Sequence, residues 1–105
     1  MKHQAVGMVE VYGLVAAFAA CDAGCKAGNV TVEKFDKNKP ANADSLPVPL
    51  LVCVKFRGSV SDVKAAVDAA LAAAERVSGI VTHHIIAQAE EDTEKMLKLS
   101  AFDVD

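Results

Sequence analysis

A strand that breaks at a glycine and runs into an alanine-rich helix occurs twice in this chain, and that repetition restricts the fold more than any other feature. The first unit is Ala5–Val30, AVGMVEVYGLVAAFAACDAGCKAGNV. Its β-branched start (Val6, Val9, Val11) meets Gly13, then a helix, then a Gly28-Asn29 break. The second is Leu51–Ile86, where a strand ends at Arg57-Gly58 and the helix VKAAVDAALAAAERV stops at Ser78-Gly79 before a last strand. Two such units in 105 residues give one domain, 1–105, with the order βαββαβ. Helices this poor in large side chains can lie very close to a sheet or to a neighbouring subunit.

Periodicity fills in the elements. Met8–Tyr12 alternates as a half-buried strand does. Gly13–Ala27 predicts a helix whose buried face is Leu14, Ala17, Phe18, Cys21 and Cys25, at three- and four-residue spacing. Val30–Phe35 is a second strand and Leu50–Phe56 a third, buried on both faces. Ser59 and Asp62 form an approximate capping box. Val63, Val67, Ala70, Leu71, Ala74 and Val77 then make one helical stripe. Ile80–Ala87 is the fourth strand. Glu90–Leu99 is a short third helix, acidic at its start and basic at its end, as the helix dipole favours. The expected fold is therefore α+β: a ferredoxin-like βαββαβ sheet, helices on one face, and a short C-terminal helix. The tail from Ser100 is loose or docked by Phe102.

Asp36–Pro49, DKNKPANADSLPVP, is the compositional outlier and holds all three prolines. Proline lacks a backbone donor, so the segment is a long loop joining strands two and three.

Composition limits the function classes. The hydrophobic fraction of 52% is mostly Ala and Val, with no Trp, one Tyr and four Phe. A monomer gains little burial from alanine at ~25 cal/mol per Å², which argues for an oligomer. A net charge of −3 supplies no basic field for nucleic acid. No apolar run reaches the ~20 residues of a membrane span. Phe18-Ala19-Ala20-Cys21 behind Lys2 loosely resembles a lipoprotein cleavage box, but Glu10 interrupts the apolar region and cleavage would remove the first strand. Three cysteines, Cys21, Cys25 and Cys53, are an odd set that suggests free thiols in a reducing cytoplasm.

No site chemistry stands out. Cys21 and Cys25 share a helical face but lack the C-x-x-C spacing of zinc sites; they read as small apolar residues in close packing, and Cys53 as core. His83 and His84 are adjacent in a strand and point to opposite faces; His84 suits a structural bond, and His3 belongs to a frayed terminus. Glu10 near Tyr12 has no convergent acid–base partner. Phosphate loops, nucleophile elbows and paired-carboxylate motifs are lacking. The expectation is no catalytic residue, no cofactor and no metal.

Four stretches, in order and with matched spacing, resemble the single-domain shell proteins of bacterial microcompartments: AVGMVEVYGLVAA, DAGCKAGNV, VKFRGSVSDVKAAVDAALAAAERV and VTHHII. The resemblance implies cyclic hexamers that tile into a protein sheet around encapsulated enzymes in the cytoplasm, with other shell proteins as partners and metabolites passing through a central pore. It implies an assembly edge at Lys26 and Asn29. Two departures accompany it. The family's short Gly-Ser-Gly pore turn is replaced by a longer loop, so that the pore region becomes Lys37, Asn38, Lys39, Pro40, Asp44 and Ser45. After strand four the family has Pro-Arg-Pro-His, where this chain has Ala87-Gln88-Ala89-Glu90, so Gln88 stands at an edge arginine. Variants of this kind resemble those of compartments built around glycyl-radical enzymes, including choline-degrading ones. A rival reading is a trimeric ferredoxin-like regulator that binds a nucleotide through Lys37, Lys39 and Arg57.

Overall fold

The computed structural model describes residues 4–103, so the expectations for Lys2 and His3 lie outside the described residues. The element order is β1 (Ala5–Tyr12), α1 (Leu14–Ala27), β2 (Thr31–Asn38), β3 (Leu51–Gly58), α2 (Val60–Val77), β4 (Ile80–Ile86) and α3 (Glu91–Leu97), with 3-10 turns at Ala43–Ser45 and Ala101–Asp103. The expected α+β order is observed. The four strands form one antiparallel sheet in the order β2-β3-β1-β4.

The period of two in β1 and β3 gives the sheet two different faces. Cross-strand partners Val9 with Val54 and Val11 with Val52 point to one side. Together with Phe56 they meet α1 and α2 in the main core. Val6, Met8 and Glu10 oppose Arg57, Lys55 and Cys53 on the other side. The third strand is buried on both faces as its sequence suggested, but the second face is polar. Lys55 and Arg57 are each only 5% exposed. Cys53 is half-buried on that face rather than in the core, because its register partner is Glu10 and not a core valine.

The buried face of α1 differs from the expected one. Ala16, Ala17, Ala20 and Gly24 are buried, whereas Leu14 and Phe18 are exposed and Cys25 lies at the surface. The apolar periodicity was real, but it traced the side chains too large for the contact. The reason is close approach. A Cβ on Gly24 would fall onto the Phe56 ring and 3.1 Å from the Ala66 carbonyl oxygen. Only the smallest residues leave room for α1 to lie against both β3 and α2, so the bulkier ones turn outward.

In α2 the buried residues are Val63, Ala66, Val67, Ala70, Ala73 and Ala74. The stripe is rotated slightly from the expected one, with Leu71 only partly buried and Val77 48% exposed. The N-terminus is capped by Ser59, whose Oγ accepts from the Asp62 amide at 3.1 Å. Ala74 has no exposed surface. Ala74→Leu therefore overpacks the α2 contact and is expected to cost ~1–3 kcal/mol. A thermal melt reads the loss, and an unchanged midpoint contradicts close packing there.

The second strand runs on to Asn38, so Lys37 and Asn38, expected at the start of the pore-region loop, belong to β2. The loop proper, 39–50, is pinned at its end: the Gly13 amide donates to the Leu50 carbonyl at 2.8 Å. Ala43 in its 3-10 turn is buried. Val48 packs over Gly13, whose φ of +88° belongs to glycine.

Candidate assembly surfaces

The strand register sorts the candidate residues to two ends of the sheet. At one end, Val6 lies between Arg57 and Ile86, and Thr31 lies opposite Arg57. The turn after α1, carrying Lys26 and Asn29, enters this end through β2, and Gln88 follows β4 at the same end. At the other end, Tyr12 and Asn38 both face Leu51. There the loop holding Lys39, Pro40, Asp44 and Ser45 projects. Edge candidates and loop candidates are thus segregated, which the sequence alone did not reveal.

Within the edge set, Lys26 and Asn29 share the turn after α1, while Gln88 follows the strand at the opposite margin of the sheet. Asn29 leads into β2 and Gln88 leaves β4, the two outer strands. Three strand spacings of about 4.8 Å separate them, roughly 14 Å.

Lys26 donates to Asp22, one turn earlier on the same helix, at 2.7 Å. That hydrogen bond, reinforced by the carboxylate's charge, raises the Lys26 pKa above its ordinary value. The Asn29 amide donates to Asp62 Oδ1 at 3.1 Å. In the loop, the Ser45 hydroxyl donates to the Asn42 carbonyl at 2.7 Å, a local turn bond. Lys37 Nζ stands 5.0 Å from the centroid of the Phe102 ring, so this lysine braces the C-terminal segment.

The outward face of α1 is apolar in its first half, before Asp22 and Lys26. Val15 is 74% exposed and Phe18 60%. Phe18 stacks at a tilt on Phe35 of β2, with centroids 5.0 Å apart. Leu14, Phe18, Phe35 and Phe102 line a shallow hollow of about 320 Å³. Contiguous exposed apolar surface of this kind marks a contact face.

Over β3, α3 meets the sheet's second face through polar contacts. Lys55 Nζ donates to the carbonyls of Leu97 at 2.9 Å and Leu99 at 2.8 Å. Arg57 meets both Glu94 carboxylate oxygens, with Nη1 at 2.8 Å from Oε1. It also donates to Glu33 at 3.1 Å and to the Ala5 carbonyl at 3.2 Å. The guanidinium holds the Glu94 carboxyl below its usual range, mainly through this hydrogen bond. The tail is docked. The Ser100 hydroxyl donates to the Phe35 carbonyl, the Ala101 amide donates to Asp36 Oδ1 at 2.9 Å, and Lys34 pairs with Asp103. Sequence reasoning missed this latch. Its signal was present in LVCVKFRG, where Lys55 and Arg57 share a face with Cys53 two residues apart.

Under α3 a hollow of about 300 Å³ is lined by Met8, Glu10, Cys53, Lys55 and Met96 among others. Burial pushes the Cys53 thiol up to about 11, helped by the Glu10 carboxylate and opposed by Lys55. Cys21 is likewise pushed up to about 11, first by burial and then by Cys25 and Asp22. Both are thereby held toward the thiol form, which is a weak nucleophile. Among the described residues no group of three or more His, Cys, Asp or Glu is arranged to hold a metal. No helix among them is long and apolar enough to cross a membrane. His83 and His84 are exposed on the outer strand β4.

The geometry within one chain does not favour the nucleotide reading. Arg57 is committed to Glu94 and Glu33. Lys37 lies opposite Val52, five residues along β3 from Arg57, which is roughly 17 Å at strand rise. The three cations do not converge.

Comparison with known proteins bears on the family of the chain. The family model described as BMC domain matches residues 5–89. The chain is 40% identical over 97 residues to the bacterial microcompartment shell protein PduA of Citrobacter freundii, covering 92% of this chain and 95% of that protein. It is 39% identical over 97 residues to the carboxysome shell protein CcmK2 of Synechococcus elongatus, covering 90% and 86%. A solved microcompartment protein from Desulfitobacterium hafniense superposes with a TM-score of 0.69 over 93% of this chain at 21% identity, which speaks to the fold alone. The chain spans about half of that solved chain, 48%. With a domain match across most of its length and relatives aligned nearly end to end, the chain belongs to the BMC domain family of bacterial microcompartment shell proteins.

Proposed function

We propose that this chain is a structural shell subunit of a bacterial microcompartment in the cytoplasm. It forms a cyclic hexamer, or a symmetry-broken relative of one, that co-assembles with other shell proteins around encapsulated enzymes. The observation that carries this reading is the segregation of candidates: Lys26, Asn29 and Gln88 at one end of the sheet, Lys39, Pro40, Asp44 and Ser45 at the other. A ring that keeps one end outward and the other inward has a lattice edge and a central opening from one chain. The apolar face of Val15 and Phe18 supplies subunit contact, and the small-residue packing of α1 on α2 keeps the subunit thin, 19 Å along its shortest axis. Metabolite passage is then set by the loop around the opening. A compartment built on a glycyl-radical, choline-type enzyme fits the departures in loop and edge. Native mass spectrometry with and without ATP tests the ring: an assembly of six or more subunits, indifferent to ATP, is expected, and an ATP-responsive trimer would sink it.

The centre and the edge are proposed to depart from a standard tile. Six copies of Lys39 to Ser45 are far bulkier than six glycine turns around an axis, so they fold aside or occlude the opening. Glutamine at position 88 offers two donors and no charge where arginine offers five and a fixed charge. An exposed charged contact is worth only ~0.2–1 kcal/mol, but each added subunit repeats it. Gln88→Arg is expected to promote two-dimensional sheets under the electron microscope, and Lys26→Ala to weaken them. An open sixfold pore in a regular lattice of the unaltered protein would contradict this reading.

A further inference from the structure

We infer that Asp62 is a positioning residue for the assembly edge, its carboxylate tying the turn that carries Asn29 to the first turn of α2. The inference rests on the edge reading of Lys26 and Asn29 given above. The Asp62 carboxylate divides its oxygens between two tasks. Oδ2 accepts from the Ser59 hydroxyl at 2.8 Å, while Ser59 Oγ accepts from the Asp62 amide at 3.1 Å. These two bonds complete the cap of α2. Oδ1 accepts from the Asn29 amide at 3.1 Å, 33 residues away in sequence. A helix cap needs no such partner, so this third bond serves the turn.

The backbone around that bond is tightly confined. A Cβ on Gly28 would strike the Asp62 carbonyl oxygen, and one on Gly58 would come within 3.0 Å of the Asn29 carbonyl oxygen. The turn is therefore wedged between the start of α2 and the end of β3. The Gly28 amide closes α1 on Gly24, and the Val30 amide bonds back to the Gly28 carbonyl at 2.9 Å. Lys26, two residues upstream, is steadied by Asp22 on its own helix. Height and direction of the edge thus follow α2, through Asp62. An error of an ångström at this turn repeats at every contact of a lattice.

The test uses the Gln88→Arg protein, in which sheets are expected to grow, and adds Asp62→Ala, Asp62→Asn, Ser59→Ala or Lys26→Ala. Sheet yield is read by electron microscopy, ring content by native mass spectrometry, and the Asn29 amide by hydrogen exchange. Asp62→Ala is expected to keep rings, lower sheet yield at least tenfold and speed Asn29 exchange at least tenfold. Asp62→Asn retains an oxygen acceptor and is expected to restore both. Ser59→Ala removes the cap but leaves the tether, and should change neither. If Ser59→Ala and Asp62→Ala behave alike, the carboxylate is only a cap and the inference is overturned. Faster exchange in Asp62→Ala with undiminished sheets overturns it as well. Undiminished sheets in Lys26→Ala, or no sheets from Gln88→Arg itself, instead refute the edge reading. Should Asp62→Ala form no rings, Asp62→Glu, which moves the carboxylate by one methylene, decides by the same readouts, with slower sheet growth expected and unchanged growth overturning the inference.

Discussion

Arg57→Leu is expected to cost about 2–4 kcal/mol of stability and to release the C-terminal segment from the sheet. Removing one partner of a buried ion pair typically costs ~3–5 kcal/mol, because the remaining charge is left without compensation. The lower range applies here because Glu94 and Glu33 keep about a quarter of their side-chain surface in solvent, 27% and 23%. Leucine fills part of the arginine stem's volume, so the loss reports the polar contacts more than a cavity. Those contacts join β1, β2, β3 and α3 through one guanidinium. Lys55 still holds the Leu97 and Leu99 carbonyls, so the segment loosens first at its α3 end. Denaturant unfolding reads the global loss, and hydrogen exchange across residues 91–103 reads the local release. Equal stability and equal exchange in the variant would refute the latch.

The same pair gives a pH dependence of definite sign. Arg57 depresses the folded-state pKa of Glu94. A carboxylate with a depressed pKa contributes stability that is present above its unfolded value, about 4.3, and is lost as pH falls through the lower folded value. The unaltered protein should therefore lose stability on acidification below about pH 4–5. Arg57→Leu should lose less over that window.

How much was legible in the sequence follows from what each face packs against. The element order was readable because glycine breaks and strand alternation are local properties of the chain. The main core was readable where β-branched side chains alternate along the strands, as with Val9, Val11, Val52 and Val54. It was misread on α1, because periodicity identifies an apolar face but not the distance to its neighbour. Where two helices approach closely, alanine and glycine form the buried face, and Phe18 belongs to the surface. The C-terminal latch was not legible because Glu94 and Arg57 are 37 residues apart, and no local pattern pairs them. The edge residues entered through family resemblance. Only the strand register showed that Gln88 and Asn29 occupy opposite margins of the same end.

The close approach of α1 makes its largest prediction at Phe56 and Gly24. Phe56 is wholly buried, and Phe56→Ala is expected to cost ~3–5 kcal/mol through lost burial and the cavity left behind. Gly24→Ala sets two effects against each other. Helix propensity alone favours alanine over glycine by roughly 0.5–1 kcal/mol. Packing opposes it, since the new Cβ would meet Phe56 Cε1 at 2.6 Å and the ring's Cζ closer still. Overpacking at a site that cannot yield costs ~1–3 kcal/mol, so Gly24→Ala is expected to be destabilising on balance. The cost should fall once the ring is gone. In a Phe56→Leu background the shorter side chain relieves the ring contacts and leaves the Ala66 carbonyl oxygen at 3.1 Å as the remaining close neighbour, so Gly24→Ala should then be much less destabilising. The two substitutions must therefore be non-additive, with a coupling of at least ~1 kcal/mol measured by a double-mutant cycle in denaturant. Additive effects would mean that Gly24 is free to accept a side chain. The small-residue face of α1 would then reflect something other than contact with the sheet.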